Sequence, residues 1–582
     1  MNGRSTLATF FLFIFLLIMI VLQVLSMVQA DRLYERLNHL LDTLASSRTV
    51  IVNQGNQAKT GAKNLPGQEY PGDEGDWLVW CLDAEPENLN PVTSTSLYAR
   101  YVISSTIFES LLEYDPDKLI LRPLLAESYK ISDDGLEISF RLRDDVHFSD
   151  GHPITADDII FTYRTIVNPK VDAANLANYF KDINDVIKIS NHEVKFIMNR
   201  VYFKFLEIIG GMEILPEHIY KFTDPMEFNK KRSNPVGSGP YIFEKWDVGR
   251  QVVLKRNDNY WGKKPKIRQI IYRIITNLTA TVQALRAGDI DYMRPMPDQF
   301  SELSRDNQFT DKFRCLSYWH PAVGYFYIGW NQQRPFFKDA RVRLAMTHLV
   351  DREAIRTYIL KNPDVNIPTG PFYVYGRQAD PAIKPWPFDP NKAVQLLNEA
   401  GWTDHDGDGI RDKDGVKFSF RYMIGSGLYL HEQIAKMVKD QAAKVGIEVS
   451  LDPYEWSVFV ERLHSRDFDA VNLSWGGGGI QEDPYQIWHS SQIGNRGSNY
   501  VGFNNPQADA IIEEARRTLD ENKRNELYHQ FHRIIHEEQP YTFVYSRPEQ
   551  RFLDKRFENV KIHKLGINEL EWYVPKDKQK YK

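Results

Sequence analysis

The chain has 582 residues, 42% apolar and 26% charged, enough for several domains around large buried cores and too apolar for global disorder. Its 72 basic and 77 acidic residues leave a formal charge of −5, which argues against a surface built to hold nucleic-acid phosphates. Two cysteines, Cys81 and Cys315, exclude a zinc ribbon, an iron–sulfur cluster or a disulfide framework and leave room for one bridge at most.

Residues Leu7 to Val28 carry no charge, and every residue from Phe10 to Leu22 is apolar. As a helix this stretch would span about 33 Å, enough for a hydrocarbon core. Arg4 and the terminal amine precede it, so the positive-inside rule places the start in the cytoplasm and the rest outside. The expectation for 1–30 is a signal anchor, a single transmembrane helix. The alternative is a secretory signal cut after Ala30, with the body released to the periplasm. Leu33, Leu37, Leu40 and Leu44 then step by 4, 3 and 4, a short coiled-coil seam or an amphipathic stalk on the membrane. Ser46 to Gly75 is polar and rich in Gly and Pro, so 31–75 reads as stalk and flexible linker.

The body alternates short strands and helices. Asp76 to Leu82 reads as a buried opening strand. Ser96 to Glu113 carries Ile103, Ile107, Leu111 and Leu112 at helical spacing. Leu136 to Leu142 alternates as a strand. Thr155 can cap a helix whose positive end Asp157 and Asp158 complement. Strands are predicted at 193–198, 241–245, 251–256 and 267–275. Helices are predicted at 339–348, 391–400, 430–445, 456–464, 506–519 and 522–538. Together they predict an α/β body.

Six blocks in this body resemble one family. Leu125 to Tyr163 contains Ala-Glu-Ser, an alternating strand, Asp150-Gly151 and a Thr-Ala-Asp-Asp helix start. Pro235 to Gly262 contains Gly237-Ser238-Gly239-Pro240-Tyr241. Leu285 to Asp291, Asn331 to Arg352, Phe388 to Trp402 and Phe468 to Pro540 complete the series. The pattern is similar to the extracytoplasmic solute-binding proteins of peptide, nickel and opine ABC importers, solute-binding family 5.

That resemblance implies a two-lobed periplasmic-binding-protein-like fold of the large peptide-binding type. Lobe I would comprise 76–113, 235–315 and 546–575, with an inserted subdomain at 114–234. Lobe II would be 316–545, and 576–582 a polar tail. The lobes would close over a peptide or small solute and present it to an ABC permease and its ATPase subunits. The alternatives are an oligosaccharide, opine or metal-chelate binder, or an anchored sensing receptor.

The ligand site implied by the resemblance centres on Trp475 to Pro484. Peptide binders of the family fix the ligand's amino group with an Asp shortly after the Trp, where this chain has Gly478 or Gly479. Glu482 or Asp483 could substitute, although Asp483 also suits a helix start. Trp456, Trp475, Tyr485 and Trp488 are candidates for stacking on a ligand. Phe372 and Tyr373 lie in a loop that faces the cleft in this family. Arg341 and Arg343, two apart at a helix start, point in different directions and suit either carboxylate clamps or structural ion pairs.

Two further motifs invite a metal. Asp404, Asp406 and Asp408, with Gly409 next and Asp412 beyond, follow the oxygen-rich spacing of a calcium loop, but Gly415 replaces the usual bidentate Glu. His529, His532 and His536 share a helix face opposite Leu527, Phe531 and Ile534, which predicts a solvent-facing histidine row. No cofactor is required, and no HExxH, GxSxG, CxxC or GxxxxGK[ST] occurs, so the expected protein is not an enzyme.

Overall fold

The computed structural model describes residues 69–230, 234–477, 479–494 and 497–581. The anchor, the leucine seam and the linker up to residue 68 lie outside the described residues. Among the described residues, no helix is long and apolar enough to cross a membrane.

The first lobe is built on a seven-stranded sheet. Its strand order is Phe313–Tyr318, Glu549–Asp554, Tyr292–Met293, Trp77–Leu82, Gln269–Ile274, Gln251–Arg256 and Tyr241–Asp247. The opening strand is apolar almost throughout because both faces are covered: Val79 and Cys81 enter one core, Leu78 another. A four-stranded antiparallel sheet, ordered Ala126–Ile131, Glu137–Leu142, Glu193–Met198 and Ile183–Ser190, adjoins this lobe. Ile138, Phe140 and Leu142 line its buried face, and helix Ala156–Val167 packs beside it, opened by a capping box of Thr155 and Asp158.

The second lobe is built on a five-stranded sheet, ordered Glu448–Tyr454, Ser419–Gly425, Ala470–Trp475, Tyr325–Trp330 and Tyr541–Tyr545. Phe326, Ile328 and Trp330 point into one core, Tyr325 and Tyr327 into the opposite one. Helices Ala340–His348, Pro390–Glu399, Tyr429–Ala443, Trp456–Ser465, Pro506–Arg517 and Glu521–Glu538 surround it, close to the spans that periodicity predicts.

Several expectations change. The helix predicted over 96–113 stops at Ile103, and Leu112–Tyr114 is a strand. Tertiary pairing overrides the spacing: Gly239 N donates to Ile107 O at 2.9 Å and Tyr241 N to Thr106 O at 2.8 Å. A Cβ on Gly237 would sit 2.1 Å from Ile107 O, which explains the glycine. The end of the expected linker is packed, with Gly75 N donating to Lys266 O at 3.0 Å and Glu74 paired to Arg256 at 2.7 Å. The polar tail is docked as well: Tyr581 stacks on Trp77 with ring centroids 4.4 Å apart, and Lys580 N donates to Asp76 at 3.0 Å. Asp76 and Asp291 are fully buried carboxylates that share the Arg556 guanidinium.

Cys81 and Cys315 are free thiols. Two strands lie between theirs in the sheet, a separation of about 14 Å that no disulfide bridges. Burial pushes the Cys81 thiol up to about 12. The histidine row is not solvent-facing either. His532 is 1% exposed; it accepts from the Asp380 amide at 3.0 Å and lies 3.0 Å from the Thr369 hydroxyl. The loop 369–380 covers that helix face, and burial lowers His532 to about 4.

Arg343 is buried and donates to Phe337 O, Lys338 O and Glu538, while Arg341 clamps Asp339 and Glu399 O. Both arginines therefore hold the lobe's own backbone and side chains.

Candidate ligand cleft

The position of the cleft follows from strand direction. In the first sheet Trp77–Leu82 runs parallel to Gln269–Ile274 and Tyr292–Met293, so Leu82, Ile274 and Met293 end on one edge. Tyr318 and Glu549 pair on that same edge. In the second sheet Ser419–Gly425, Glu448–Tyr454 and Ala470–Trp475 are parallel, and Tyr325 pairs with Trp475 where the last of them ends. The chain passes between these two edges through 319–324 and 546–548. The carboxyl ends of the parallel strands thus face each other, which is where open α/β sheets bind ligands.

On the first lobe this edge forms a pocket lined by Trp80, Asp83, Tyr98, Tyr101, Arg294 and Arg551. Trp80 anchors it, with ring centroids 5.3 Å from Tyr101 and 4.8 Å from Tyr292. Arg551 donates to Glu549 at 2.6 Å. Burial alone would raise the Glu549 carboxyl, but the Arg551 and Arg294 guanidinium groups hold it at about 2. The Tyr98 hydroxyl is pushed up by burial and by the Asp83 carboxylate beside it. The wall therefore carries fixed charges of both signs among aromatic rings.

Sequence reasoning missed this wall. Its signal was present: Asp83 follows the opening strand directly, and Arg294 follows Tyr292-Met293.

On the second lobe, Trp475 to Gly477 and Gly479 to Pro484 lie at the seam. Trp475 is buried between the rings of Tyr327 and Tyr500, and its Nε1 donates to the Tyr541 hydroxyl at 3.3 Å. Gly477 N donates to Ala322 O at 3.0 Å, and a Cβ there would meet Val323 O at 2.7 Å. Gly478 lies outside the described residues. Gly479 has φ +89°, a left-handed conformation that glycine adopts without strain. Ile480 joins the apolar cluster of the first lobe and its subdomain, with Leu82 and Leu206. Gln481 accepts from Arg524 at 2.9 Å, and Gln378 pairs with both backbone groups of Glu482.

The Asp483 carboxylate accepts from the Tyr202 hydroxyl and from Arg516 Nε, each at 2.8 Å. Tyr485 stacks on His489 at 4.5 Å and carries Arg516 over its ring at 4.1 Å. Trp456 is half-buried and stacks on Phe459 at 5.2 Å. Phe372 is buried against Tyr528, Phe531 and His532 in the second lobe's core. Tyr373 lies half-buried beside exposed Tyr375, whose ring meets Trp319 edge-on at 5.0 Å. Trp488 is a core residue, 1% exposed.

In the loop predicted to hold calcium, Asp404, Asp406 and Asp412 bring carboxylate oxygens within 4.8 Å of one another. Lys417 pairs with Asp408 and lies 3.4 Å from Asp406. His405 lies 3.0 Å from Asp412.

Two α/β lobes joined by paired connectors around a walled cleft define a solute-binding protein of the periplasmic type. The chain belongs to the bacterial extracellular solute-binding proteins, family 5, whose model matches residues 121–496. It is 34% identical over 533 residues to the oligopeptide-binding protein AppA of Bacillus subtilis (strain 168), covering 89% of this chain and 95% of that protein. The solved structure of Bacillus subtilis AppA in complex with a nonapeptide matches with a TM-score of 0.69 at 32% identity, covering 87% of this chain and 100% of that one. NikZ from Campylobacter jejuni in complex with Ni(L-His) matches with a TM-score of 0.69 at 25% identity, covering 85% of this chain and 99% of that one. These relatives are binding proteins, and the chain is one rather than an enzyme.

Proposed function

We propose that the chain is the membrane-tethered, extracytoplasmic binding component of an ABC importer that captures peptides between its two lobes. The observation that carries the reading is likeness along nearly the whole chain to an oligopeptide-binding protein whose structure holds a nonapeptide. The first-lobe wall supports it: Asp83 offers a counter-charge for a peptide ammonium, Arg294 for a carboxylate, and the aromatic rings an apolar surface for side chains. A ligand touching both lobes stabilises the shut form by its differential affinity, which the partner permease then reads. Native mass spectrometry of the protein purified from its own cells is expected to release a mixture of peptides. A single metal chelate, as in the NikZ complex, would replace this reading, and the glycine at the usual amino-binding position is the feature that favours that outcome.

Tethering rests on the charge-free stretch 7–28 after Arg4. Membrane fractionation with amino-terminal sequencing decides between an intact anchor and cleavage after Ala30. Calcium in the 404–412 loop belongs to the same reading as a weak extracytoplasmic site, because the Lys417 ammonium already pairs with Asp408 and lies 3.4 Å from Asp406, competing for their charge. Lys417→Gln is expected to strengthen calcium binding in a calorimetric titration.

A further inference from the structure

The surface of the four-stranded subdomain gathers two imidazoles and a carboxylate at one point. Asp150 and His152 flank Gly151, whose φ of +92° makes the turn. The turn is fixed by its backbone: Phe148 N donates to His152 O at 2.8 Å, Gly151 N to Phe148 O at 2.9 Å and Ser149 N to Gly237 O at 2.9 Å. His218 arrives from the short helix Glu217–Tyr220, which is pinned by Glu217 N donating to Asp158 at 2.9 Å.

His218 Nε2 lies 2.6 Å from Asp150 Oδ2, and His152 Nδ1 lies 3.4 Å from Asp150 Oδ1. The imidazoles stack with centroids 3.8 Å apart and planes 27° apart. Each residue offers one ligand atom, all within 4.8 Å of one another. The side chains of His152, Asp150 and His218 are 61%, 30% and 30% exposed, so an ion reaches them without displacing the core.

Two nitrogens and one carboxylate oxygen form the donor set of a borderline cation; calcium and magnesium prefer oxygen alone. Zinc–nitrogen and zinc–oxygen bonds of about 2.0–2.2 Å require donors roughly 3.3–3.6 Å apart in a tetrahedron. The three donor atoms lie within 4.8 Å of one another on backbone segments held by the bonds above, so side-chain rotation alone is the adjustment the site requires of them.

We infer that Asp150, His152 and His218 form a surface site for a divalent transition cation of the zinc class, with water in the fourth position. The site is distinct from the ligand cleft and from the 404–412 loop.

The test titrates the full chain with zinc alone by calorimetry and with cobalt(II) by visible absorption. One zinc per chain and ligand-field bands of a four-coordinate cobalt are expected. His152→Ala, at the most exposed of the three positions, should weaken zinc by about tenfold or more, at least the loss usual for a merely supporting group. Asp406→Asn should leave this binding unchanged. Unaltered zinc affinity in His152→Ala, loss of binding in Asp406→Asn, or no zinc uptake by the full chain would overturn the assignment.

Discussion

The Tyr202 hydroxyl donates to Asp483 at 2.8 Å, joining the loop after strand Glu193–Met198 to the second lobe. Arg516 binds the same carboxylate oxygen, and the Phe203 amide donates to Arg516 O at 3.1 Å. Arg524 lies over the Phe203 ring at 4.5 Å. In the two-lobed capture proposed above, bonds that cross between the bodies add to the stability of the shut form. A hydrogen bond to a charged group contributes about 1.5–3 kcal/mol. Tyr202→Phe is therefore expected to weaken solute binding by about tenfold or more, read by calorimetry, and to enlarge the radius of gyration in small-angle scattering. An unchanged Kd would place this contact in the open form as well.

A second expectation concerns the glycine that starts the second lobe's sheet. A Cβ on Gly324 would lie 1.7 Å from Trp475 O and 2.7 Å from Gly476 Cα, both backbone atoms. No side-chain adjustment relieves that overlap. Gly324→Ala should separate the strand from Trp475 and cost about 1–3 kcal/mol, the usual range for overpacking, seen as a lower Tm. A variant melting like the parent would show that the connector shifts freely.

The glycine run separates two substitutions that look alike in sequence. Asp at position 479 must adopt φ near +89°, which strains any L side chain. Gly478→Asp is expected to raise affinity for peptides with a free amino terminus, whereas Gly479→Asp should lower the Tm first. Competition between free and acetylated peptides measures the preference; equal affinities in Gly478→Asp would remove the amino-binding role from that position.

Glu109 supplies a pH signature. Burial pushes its carboxyl up to about 7, against the pull of hydrogen bonds from Tyr260 at 2.6 Å and Trp261 at 3.0 Å. Its pKa in the unfolded chain is near 4.5. The raised folded value means that its share of stability is intact below pH 4.5 and declines as pH climbs to about 7. The decline is on the order of 3 kcal/mol. Glu109→Gln should flatten this segment of the urea-stability profile, and a parallel profile in the variant would exclude Glu109 as its source.

Much of the architecture was legible because helices with one buried face announce their period. Pro506–Arg517 and Glu521–Glu538 lie within about two residues of their predicted bounds. Strand Tyr325–Trp330 gave no alternation, since all its residues are buried, and it went unassigned. The helix expected to run on to Glu113 failed because Thr106 and Ile107 bond to the glycine segment near Tyr241, far along the chain. His532 was misplaced because covering by the loop 369–380 cannot be read from helical spacing. The run Trp475 to Pro484 could be located in the sequence; that Gln481 and Asp483 are taken up by Arg524, Tyr202 and Arg516 could not be read there. Asp83, Arg294 and Arg551 were not legible either, because only sheet order brings them to one pocket.

The two connectors, 319–324 and 546–548, are tied to each other where the Ser546 hydroxyl donates to Gly324 O at 2.6 Å, and Ser546 is also held to the second lobe through its bridge to Asn366. Such a tied pair acts as an axle rather than a ball joint. In the proposed capture such a joint favours a swing in one plane over twist and slide, so that a solute would meet the same approaching face each time.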